Sequence, residues 1–554
     1  MDPLEACAAF HERTKHYPHR FARSPGRLDW HTQPDPFRRY EGAPLVRLPL
    51  MRRDDSPPFA ALGAAAIPPR PMGLASLACF LEHALAISAW KEFQGDRWAL
   101  RCNPSSGNLH PTEGYLITPA VPGLCDIPAV FHYAPREHGL EQRASFPDPV
   151  WRELAGQLPA ESFLLGFTSI HWREAWKYGE RAYRYCQHDL GHALAASSYA
   201  AALLGWRVMH LDGLGDADCA ALLGVDRQDG FDKHEREHPG LVAVVCPAPG
   251  PFECPRAVPH AAVSAVAAGD WRGRPNRLSP GHVRWPAIDK AADTCHKEPA
   301  QLPPRALPAE PSPGTPAPSG AGPTAREVIL RRRSAAAMDG TTSMPRAAFN
   351  RMLARLLPHT GGPPWAALAP PPAVHPVLFV HRVDGLDPGL YCLPRTREAG
   401  AALRDALDFS FAWDIPPECP AGLPLRLLRP GRFDAMAAKL SCGQEIAGGG
   451  VFCLAMLARF EEPIAQHGAW YYRRLFWEAG MLGQVLYLEA EAAGLRGTGI
   501  GCFFDDDVHS ALALKGRRYQ CIYLFTVGGA LDDARLTTRP PYSARRPAPS
   551  PPKR

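Results

Sequence analysis

The segment DLGHALAASSYAAALLG (residues 189–205) has a second version later in the chain. It aligns without a gap with EAGMLGQVLYLEAEAAG (residues 478–494), at an offset of 289 positions (478 − 189). The same offset superimposes Tyr183 on Tyr472, Arg184 on Arg473, Asp216 on Asp505, Asp218 on Asp507 and Leu223 on Leu512. Two helices can share small residues by chance, but an alignment that stays in register through the acidic loop that follows is hard to explain by chance. The repeat therefore predicts two fused copies of one α+β fold.

Length and composition agree with a folded protein of two domains. A chain of 554 residues is too long for one hydrophobic core, so two domains of about 200 residues are expected. A net charge of +5 without a long basic run gives no indication of nucleic-acid binding. No signal peptide, no stretch of 18 apolar residues and no CxxC pair among the fifteen cysteines is found, so a cytoplasmic location without membrane contact is expected.

Composition divides the chain into five segments. Residues 1–60, rich in Arg, His and Pro, are predicted to form an extended arm with aromatic anchors. Domain 1 is predicted to span residues 61–257, and domain 2 residues 324–542. Residues 258–323 are interpreted as a Pro-rich linker, because nine prolines cluster toward the end of this segment. Residues 543–554 are rich in Pro, Arg and Lys and are expected to be a disordered tail.

A tight polar turn, RCNPSSGNLHPTEGY (residues 101–115), leads directly into an apolar strand. Its candidate ligand-binding residues are Pro104, Ser105, Ser106 and Asn108. Such a turn presents backbone N–H groups, hydroxyls and an amide in one fixed geometry, which suits an anionic or heteroaromatic ligand. The same residue types also make an ordinary loop before a strand, so composition leaves both interpretations open.

Three consecutive arginines lie near the start of predicted domain 2. Arg332 and Arg333 are followed by Ser334. Guanidinium groups bind phosphate bidentately and a serine hydroxyl adds a short donor, so these residues are candidates for a phosphate site. An arginine triplet is also typical of a solvated surface, and both interpretations stay open at this point.

Glycines alternate after the second repeat helix, in RGTGIGC (residues 496–502). Gly499 and Gly501 allow the backbone to approach a planar ring closely, and Cys502 ends the string. The alternative is a connection between helix and strand that needs glycine for a positive φ. Further along, Arg539 is a candidate for a second contact to a phosphate.

These motifs resemble the FMN-dependent nitroreductase superfamily. PSSGN (residues 104–108), followed by Pro111 and Glu113, is similar to its flavin-contacting loop, and the position of the Glu looks more like the azoline-dehydrogenase branch of the SagB/ThcOx type. The Arg-Arg-Ser sequence resembles the element that holds the FMN phosphate and ribityl chain, although Ala336 stands where the family usually has a further arginine. In the family, the loop that corresponds to residues 496–502 places backbone N–H groups near the flavin N5 edge.

The resemblance implies an α+β protein of two nitroreductase-like domains, each with an antiparallel or mixed sheet flanked by helices, that form a pseudo-dimer with FMN as cofactor. Each half lacks the element that the other has. The first has no Arg-Arg-Ser opening, and the second has GGPPW (residues 361–365) in place of the Pro-Ser loop. Homodimeric nitroreductases build each FMN site from both subunits. One composite FMN site between the halves therefore follows, with the mirror-related site lost.

The segment WKYGERAYRY (residues 176–185) closely resembles the azoline-dehydrogenase branch, in which a Lys-Tyr pair is implicated in substrate oxidation. Either Lys177, with a pKa lowered by burial, or the Tyr178 phenol could take the proton as hydride leaves to the flavin. A snorkelling lysine and a packed tyrosine explain the pair equally well. His188 and His192 lack a third ligand and are interpreted as core or surface histidines, not as a metal site.

The sequence thus predicts an FMN-dependent oxidoreductase, first as a dehydrogenase of azolines or peptide heterocycles. The alternative reaction is the NAD(P)H-dependent reduction of a nitro or quinone compound. An alternative of another class is a non-catalytic flavin- or peptide-binding module in a peptide-modifying complex. A consumed flavin or a deazaflavin, as some relatives have, is a further alternative. The expected partners are a small-molecule or modified-peptide substrate and peptide-modifying enzymes, with neither nucleic acid nor membrane.

Overall fold

Two antiparallel sheets form the framework of the protein in the computed structural model. It describes residues 2–51, 53–63, 67–227, 230–247, 252–301, 305–307, 322–358, 362–368 and 371–543. Most of the Pro-rich stretch after residue 301, Gly361 of the GGPPW segment and nearly all of the predicted tail lie outside these ranges. None of the helices described is long and apolar enough to cross a membrane.

The first half of the chain builds an eight-stranded sheet. The described part of this half contains fourteen strands, of which eight form the sheet: β1 Tyr40–Glu41, β2 Leu45–Arg47, β3 Ile87–Phe93, β4 Asp96–Arg101, β5 Thr112–Thr118, β6 Ala129–Ala134, β7 Gly139–Ser145, β8 Phe163–Ile170, β9 Trp206–His210, β10 Glu237–Pro247, β11 Phe252–Cys254, β12 Asp270–Trp271, β13 Arg274–Pro275 and β14 Arg305–Leu307. The sheet order is β12-β7-β6-β5-β8-β10-β9, with β2 against β7, and every pairing is antiparallel. All residues of the central strand β8 are buried, as its continuous apolar sequence requires.

Eight helices accompany these strands. They are α1 Pro3–Arg13, α2 Leu74–Ala84, α3 Asp148–Leu154, α4 His171–Tyr178, α5 Ala182–Leu203, α6 Asp216–Leu223, α7 His260–Ala267 and α8 Pro286–Thr294. In the second half the helices are α9 Ala325–Arg331, α10 Arg346–Arg355, α11 Arg397–Ala406, α12 Asp434–Leu440, α13 Ile446–Gly449, α14 Glu461–His467, α15 Tyr471–Ala492 and α16 Asp505–Ala511. The repeat found in the sequence therefore falls on α5 and α15, the two longest helices.

The second half builds a six-stranded sheet whose central strands are arranged as in the first sheet. Its strands are β15 Val374–Val380, β16 Gly389–Cys392, β17 Arg426–Pro430, β18 Phe452–Arg459, β19 Arg496–Ile500 and β20 Tyr519–Gly528, followed by β21 Thr537–Arg539 outside the sheet. The order β17-β16-β15-β18-β20-β19 is antiparallel throughout. Five strands, β16-β15-β18-β20-β19, reproduce the order and connections of β6-β5-β8-β10-β9. The prediction of two fused α+β copies is confirmed.

The repeat helices α5 and α15 pack directly against each other between the two sheets. Every residue of α5 except Ala202 is buried. At the crossing, a methyl group on Gly191 would overlap the Trp477 carbonyl, and one on Gly480 would overlap the His188 carbonyl. Gly191 and Gly480 are equivalent in the repeat, so the two helices contact each other backbone to backbone around an approximate two-fold axis.

Two equivalent ion pairs flank this crossing. Arg184 on α5 donates to Asp505 at the start of α16, with 2.8 Å between Nη1 and Oδ1. Arg473 on α15 donates to Asp216 at the start of α6, with 2.8 Å between Nη2 and Oδ1. All four side chains are buried, and the 289 offset exchanges one pair with the other. Each arginine thus binds the acid of the other half, as in the interface of a symmetric dimer.

The N-terminal residues are not only the extended arm that their composition suggested. They begin with α1, whose first residue, Pro3, has the φ that a helix start needs. Phe10 on α1 is buried and contacts the rings of Tyr183 and Tyr472, with centroids 5.6 and 6.2 Å away. The two tyrosines are equivalent in the repeat, so α1 lies on the approximate two-fold axis. Its helical form depends on partners from both halves, which its own short sequence does not reveal.

The predicted linker is also folded in its first part. Residues 258–298 include α7 and α8 and hold four prolines, whereas nine prolines follow in residues 299–323. Beyond α8, the backbone N–H of Lys297 donates to Asp216 (3.1 Å); beyond α1, that of His16 donates to Asp505 (3.0 Å). The segment around α1 therefore caps α16 of the second half while it also contacts the first, and the segment around α8 caps α6 of the first half. The linker prediction for residues 258–298 is wrong, because Pro content was averaged over too long a stretch.

Replacing Gly191 by alanine tests the backbone contact between α5 and α15. We expect the free energy of unfolding to fall by roughly 1–3 kcal/mol, because the added methyl meets backbone atoms that cannot rotate away. Gly400→Ala is the matched control: Gly400 lies in α11, and a Cβ there would be 3.7 Å from the nearest atom. That change should increase stability by about 0.5–1 kcal/mol. Urea unfolding followed by circular dichroism measures both, and an unchanged midpoint for Gly191→Ala would contradict the close crossing.

Candidate functional site

A cavity of about 830 Å³ lies between the two halves. Most of the residues singled out from the sequence line it: Pro104, Ser105, Ser106, Asn108, Tyr178, Arg332, Arg333, Ser334, Gly499, Gly501 and Cys502. Lys177 and Arg539 are outside this lining. Cavities of roughly 300–1,000 Å³ are typical of cofactor and small-molecule sites.

The Pro-Ser loop forms one wall of the cavity, between β4 and β5. A single 3₁₀ turn, Ser106–Asn108, reverses the chain, and Asn108 adopts a positive φ of 60°. The Asn108 amide donates to the backbone oxygen of Ala99 (2.9 Å), and the Ser105 hydroxyl accepts the backbone N–H of His110 (2.8 Å). The side chains that looked like ligand donors therefore also hold the loop in shape.

Two buried acids beneath this loop were missed by the sequence analysis. Asp189 on α5 accepts the backbone N–H of Ser106 (3.1 Å to each oxygen) and its hydroxyl (3.0 Å), and Glu174 on α4 accepts the Ser105 hydroxyl (3.4 Å). Burial raises the pKa of Asp189 to about 7. Burial, and then the negative charge of Asp189, raise the pKa of Glu174 well above its usual range. Only the fold brings these helix positions to the loop.

Arginines form the opposite wall. The guanidinium of Arg332 is buried and donates to the backbone oxygens of Cys102 (3.2 Å) and Arg101 (2.9 Å). Arg333 donates to the Ser88 hydroxyl and backbone oxygen (both 3.1 Å). Burial, and then the neighbouring charge of Arg332, lower the pKa of Arg333 to about 10, which still leaves it charged at neutral pH. These side chains from the second half thus bind strands β3 and β4 of the first.

The glycine-rich strand β19 and the residue after it close a third side of the cavity. Glycine is needed there because tyrosine side chains occupy the space that a larger residue would fill. A methyl group on Gly499 would overlap the Tyr523 hydroxyl, and one on Gly501 would overlap the Tyr185 ring. The Tyr487 hydroxyl accepts the backbone N–H of Gly499 (3.1 Å) and lies 2.8 Å from the Ser334 hydroxyl. The missing side chains therefore make room for aromatic groups of the cavity wall.

Tyr178 and Lys177 end helix α4 and differ in their relation to the cavity. The Tyr178 hydroxyl lies against Gly107 of the Pro-Ser loop, and its ring contacts Tyr185 with centroids 4.8 Å apart. Burial, and then the charge of Glu174, raise the pKa of Tyr178 well above its usual range. The Lys177 ammonium lies 5.3 Å from the centre of the Tyr178 ring, so it adjoins the cavity only through its neighbour.

The predicted phosphate contact of Arg539 has no support. Arg539 belongs to β21, which pairs with β3 of the first half, and its exposed guanidinium donates to Glu92 (2.9 Å). Neither does a metal site emerge: His188 stacks on the Tyr523 ring (centroids 4.1 Å apart), and His192 lies 3.2 Å from the Tyr523 hydroxyl. Among the described residues, no group of three or more His, Cys, Asp or Glu side chains is placed to hold a metal ion.

The arginine wall carries positive charge that the protein does not balance. Nη1 of Arg332 is buried without a hydrogen-bond partner in the described part of the chain. Neither Arg332 nor Arg333 forms an ion pair with any carboxylate among those residues. A phosphate fits this place, since its oxygens accept charge-assisted hydrogen bonds from guanidinium groups.

The approximate two-fold axis relates the cavity to a second place between the halves, and that place is filled. Glu478, which matches Asp189 in the repeat, pairs with Arg395 and accepts the backbone N–H of Ala373 (3.1 and 3.0 Å). A 3₁₀ turn, Trp365–Ala367, packs against β9 and α5, the counterparts of β19 and α15. Within the described residues, an ion pair and a 3₁₀ turn thus occupy the place where the symmetry would give a second cavity.

Comparison with known proteins identifies the fold. Residues 402–529 match the family model described as the nitroreductase family. No curated protein matches the sequence of the chain. Among solved structures, a protein from Anabaena variabilis described by its similarity to nitroreductases has 22% sequence identity and a TM-score of 0.65, over 95% of this chain and 99% of that one. A whole-chain match of this kind shows that both halves belong to one shared architecture.

Other solved structures align with part of the chain. A nitroreductase from Ralstonia eutropha has 17% identity and a TM-score of 0.28, over 39% of this chain and 89% of that one. The E. coli microcin synthetase McbBCD complex with truncated pro-MccB17 has 17% identity and a TM-score of 0.25, over 44% and 92%. The family match supports FMN as the cofactor and an oxidoreductase as the kind of protein. Residues 402–529 therefore match a nitroreductase family domain, within an α+β protein of two fused halves.

Proposed function

We propose that this protein is an FMN-dependent oxidoreductase whose one composite flavin site is the cavity between the halves. The observation that carries the proposal is the convergence of three distant segments on that cavity: the loop 104–108, the Arg-Arg-Ser element 332–334 and the glycine-rich strand 496–502. Each was singled out from the sequence on its own chemistry. Their meeting in one place is explained if a single ligand contacts all three.

Each segment offers FMN a different kind of contact. Arg332, Arg333 and Ser334 would hold the phosphate with charge-assisted hydrogen bonds. The Pro-Ser loop and β19 would supply backbone and hydroxyl groups to the rest of the cofactor. Bound FMN supplies hydride acceptance and donation, while the protein binds it, orients it and manages the accompanying proton. The filled mirror position predicts one FMN per chain.

Two groups of the cavity wall could handle that proton. Tyr178, with its raised pKa, stays protonated at neutral pH and can donate a proton but not accept one. Asp189, with a pKa of about 7, can accept a proton near neutral pH. With Tyr178 as a proton donor and Asp189 as a proton acceptor, the cavity wall could support either reduction or oxidation of a substrate.

The first substrate hypothesis is the dehydrogenation of an azoline or another peptide heterocycle. It rests on the resemblance of the Lys177-Tyr178 pair, in which Tyr178 would contact the substrate and Lys177 would act as a positioning residue behind it. The second is the NAD(P)H-dependent reduction of a nitro or quinone compound, which the protonated Tyr178 favours because reduction needs a proton donor. A non-catalytic binding module in a peptide-modifying complex is the alternative of another class.

Flavin binding tests the composite site. We expect the purified protein, reconstituted if necessary, to hold one FMN per chain by visible absorbance. Arg333→Ala should weaken FMN binding by roughly 10- to 100-fold, the loss expected for one or two hydrogen bonds to a charged group. Arg539→Ala, at an exposed arginine outside the cavity, is the matched control and should leave the affinity unchanged. Two FMN per chain would contradict the lost mirror site, and no FMN at all would favour the binding module.

The raised pKa of Asp189 predicts a pH dependence of stability. Between its ordinary pKa of 3.8 and about 7, the folded protein holds a proton that the unfolded chain has released. The free energy of unfolding should therefore decrease as pH rises through this window, by at most about 1.4 kcal/mol per pH unit for this one group. Asp189→Asn keeps an oxygen acceptor for Ser106 and should remove that contribution. Exposed Asp126→Asn serves as the control, and a slope in Asp189→Asn as steep as that of the wild-type protein would contradict the assignment.

The substrate hypotheses are separated by the rate of flavin reduction. An azoline-containing peptide and NADPH are each mixed anaerobically with the FMN-loaded protein in a stopped-flow instrument. Tyr178→Phe keeps the ring and should still bind FMN, but should slow turnover with the true substrate by about 10²-fold or more, the usual loss for a proton-transferring group. Lys177→Met should have a smaller effect. Wild-type rates in Tyr178→Phe would exclude its hydroxyl from the reaction.

A further inference from the structure

Two half-buried cysteines meet at the edge of the cavity. Cys502 lines the cavity directly after strand β19. Cys442 follows helix α12, and its thiol is close enough to the Cys502 thiol for each to shift the pKa of the other. The sequence gives no hint of this pair, because 59 intervening residues separate the two cysteines (502 − 442 − 1) and no CxxC motif is present.

Hydrogen bonds on both sides of the pair hold the two segments together. The Gln444 side-chain amide donates to the backbone oxygen of Cys502 (3.0 Å), and the backbone N–H of Phe504 donates to the backbone oxygen of Leu440 (2.9 Å). Cys442 lies midway between Leu440 and Gln444. The contact of the two thiols is thus fixed by groups other than the thiols, which suits a pair that must remain in place as it changes oxidation state.

The surroundings favour a thiolate at Cys502. The neighbouring Cys442 thiol, and then the His16 side chain and the charge of Arg181, lower the pKa of Cys502 to about 5, whereas the same pairing raises the pKa of Cys442. Arg181 is held in position because it donates to the backbone oxygen of Gly501 (3.1 and 2.9 Å). One thiolate beside one protonated thiol is the state from which disulfide chemistry proceeds, since the thiolate is the reactive form.

We propose that Cys442 and Cys502 form a redox-active dithiol that exchanges two electrons with the flavin in the cavity. The inference rests on the FMN site proposed above. In one direction, an S–S bond forms between the Cys502 thiolate and the Cys442 thiol, the one thiol proton is released, and two electrons and one proton pass to oxidised FMN, which becomes the reduced anion. In the other direction, the reduced FMN anion returns two electrons and one proton, and the S–S bond breaks to give one thiolate and one thiol.

The Cys442–Cys502 pair lies at the cavity and has no counterpart at the mirror-related place. Gly213 occupies the place of Cys502 in the first half of the repeat, so the filled mirror position has no equivalent thiol there. A second thiol pair, Cys7 on α1 and Cys295 beyond α8, is buried between the docked segments and lines no part of the cavity. Cys502 borders the cavity and neither Cys7 nor Cys295 does, which makes the buried pair a natural control.

The test uses the full-length, FMN-loaded protein under anaerobic conditions. Bound flavin is first quantified by absorbance. Reduced, desalted protein with oxidised FMN, and disulfide-containing protein with photoreduced FMN, are then followed by flavin absorbance and by non-reducing peptide mapping in the mass spectrometer. We expect electron transfer in one of the two directions, with one flavin converted per Cys442–Cys502 disulfide formed or broken. Cys442→Ser and Cys502→Ser should both abolish it, and Cys295→Ser should retain it.

Three results would overturn the inference. Electron transfer in neither direction, with FMN bound, would exclude the exchange even if diamide links the two cysteines. Flavin conversion that is stoichiometric with a different disulfide, or that persists in Cys502→Ser, would assign it to other thiols. A protein that binds no FMN would overturn the proposed function itself, and the absorbance measured at the outset separates that failure from the others. The mapping of the wild-type protein decides the matter even if a serine variant does not fold.

Discussion

The crossing of α5 and α15 is the contact on which the rest of the structure depends. Gly191 and Gly480 lack side chains at the point where each helix meets the backbone of the other. A larger residue at either position would push the halves apart, and the arginine wall of the second half would lose the backbone oxygens of β4 that it binds. The cavity is therefore a consequence of helix packing: its three walls come together only if the halves approach this closely.

Within this symmetric frame, one acid position serves two different purposes. Asp189 and Glu478 occupy equivalent places, and each accepts backbone N–H groups from the segment that precedes a central strand. Arg395 neutralises Glu478, whose surroundings are packed by the turn at Trp365. Asp189 has no such cation among the described residues and borders open space. The same fold position is thus structural in one half and available for chemistry in the other, because the neighbouring loops diverged while the helices kept their register.

The repeat helices and the binding loops could be predicted from the sequence, but the contacts between distant segments could not. The repeat predicted the two halves, since register along a helix is a local property that a sequence displays directly. Loop 104–108 and residues 332–334 could be singled out because their chemistry is concentrated in a few neighbouring positions. Asp189, Glu174 and the Cys442–Cys502 pair could not, since each is unremarkable alone and acquires a role only from a partner far away in the chain. The contact of Arg539 was hidden for the same reason: its partner, Glu92, lies in the other half.

The docking of the helical segments suggests why the halves are fused. Along the chain, the segment around α1 precedes the first half but caps the acidic start of α16 in the second, and the segment around α8 precedes the second half but caps α6 in the first. In two separate chains, each would reach across to its partner, as exchanged arms do in symmetric dimers. Fusion keeps this exchange while it allows the halves to differ. One half could then lose its phosphate element and the other its loop, because a single chain always supplies both to the cavity that remains.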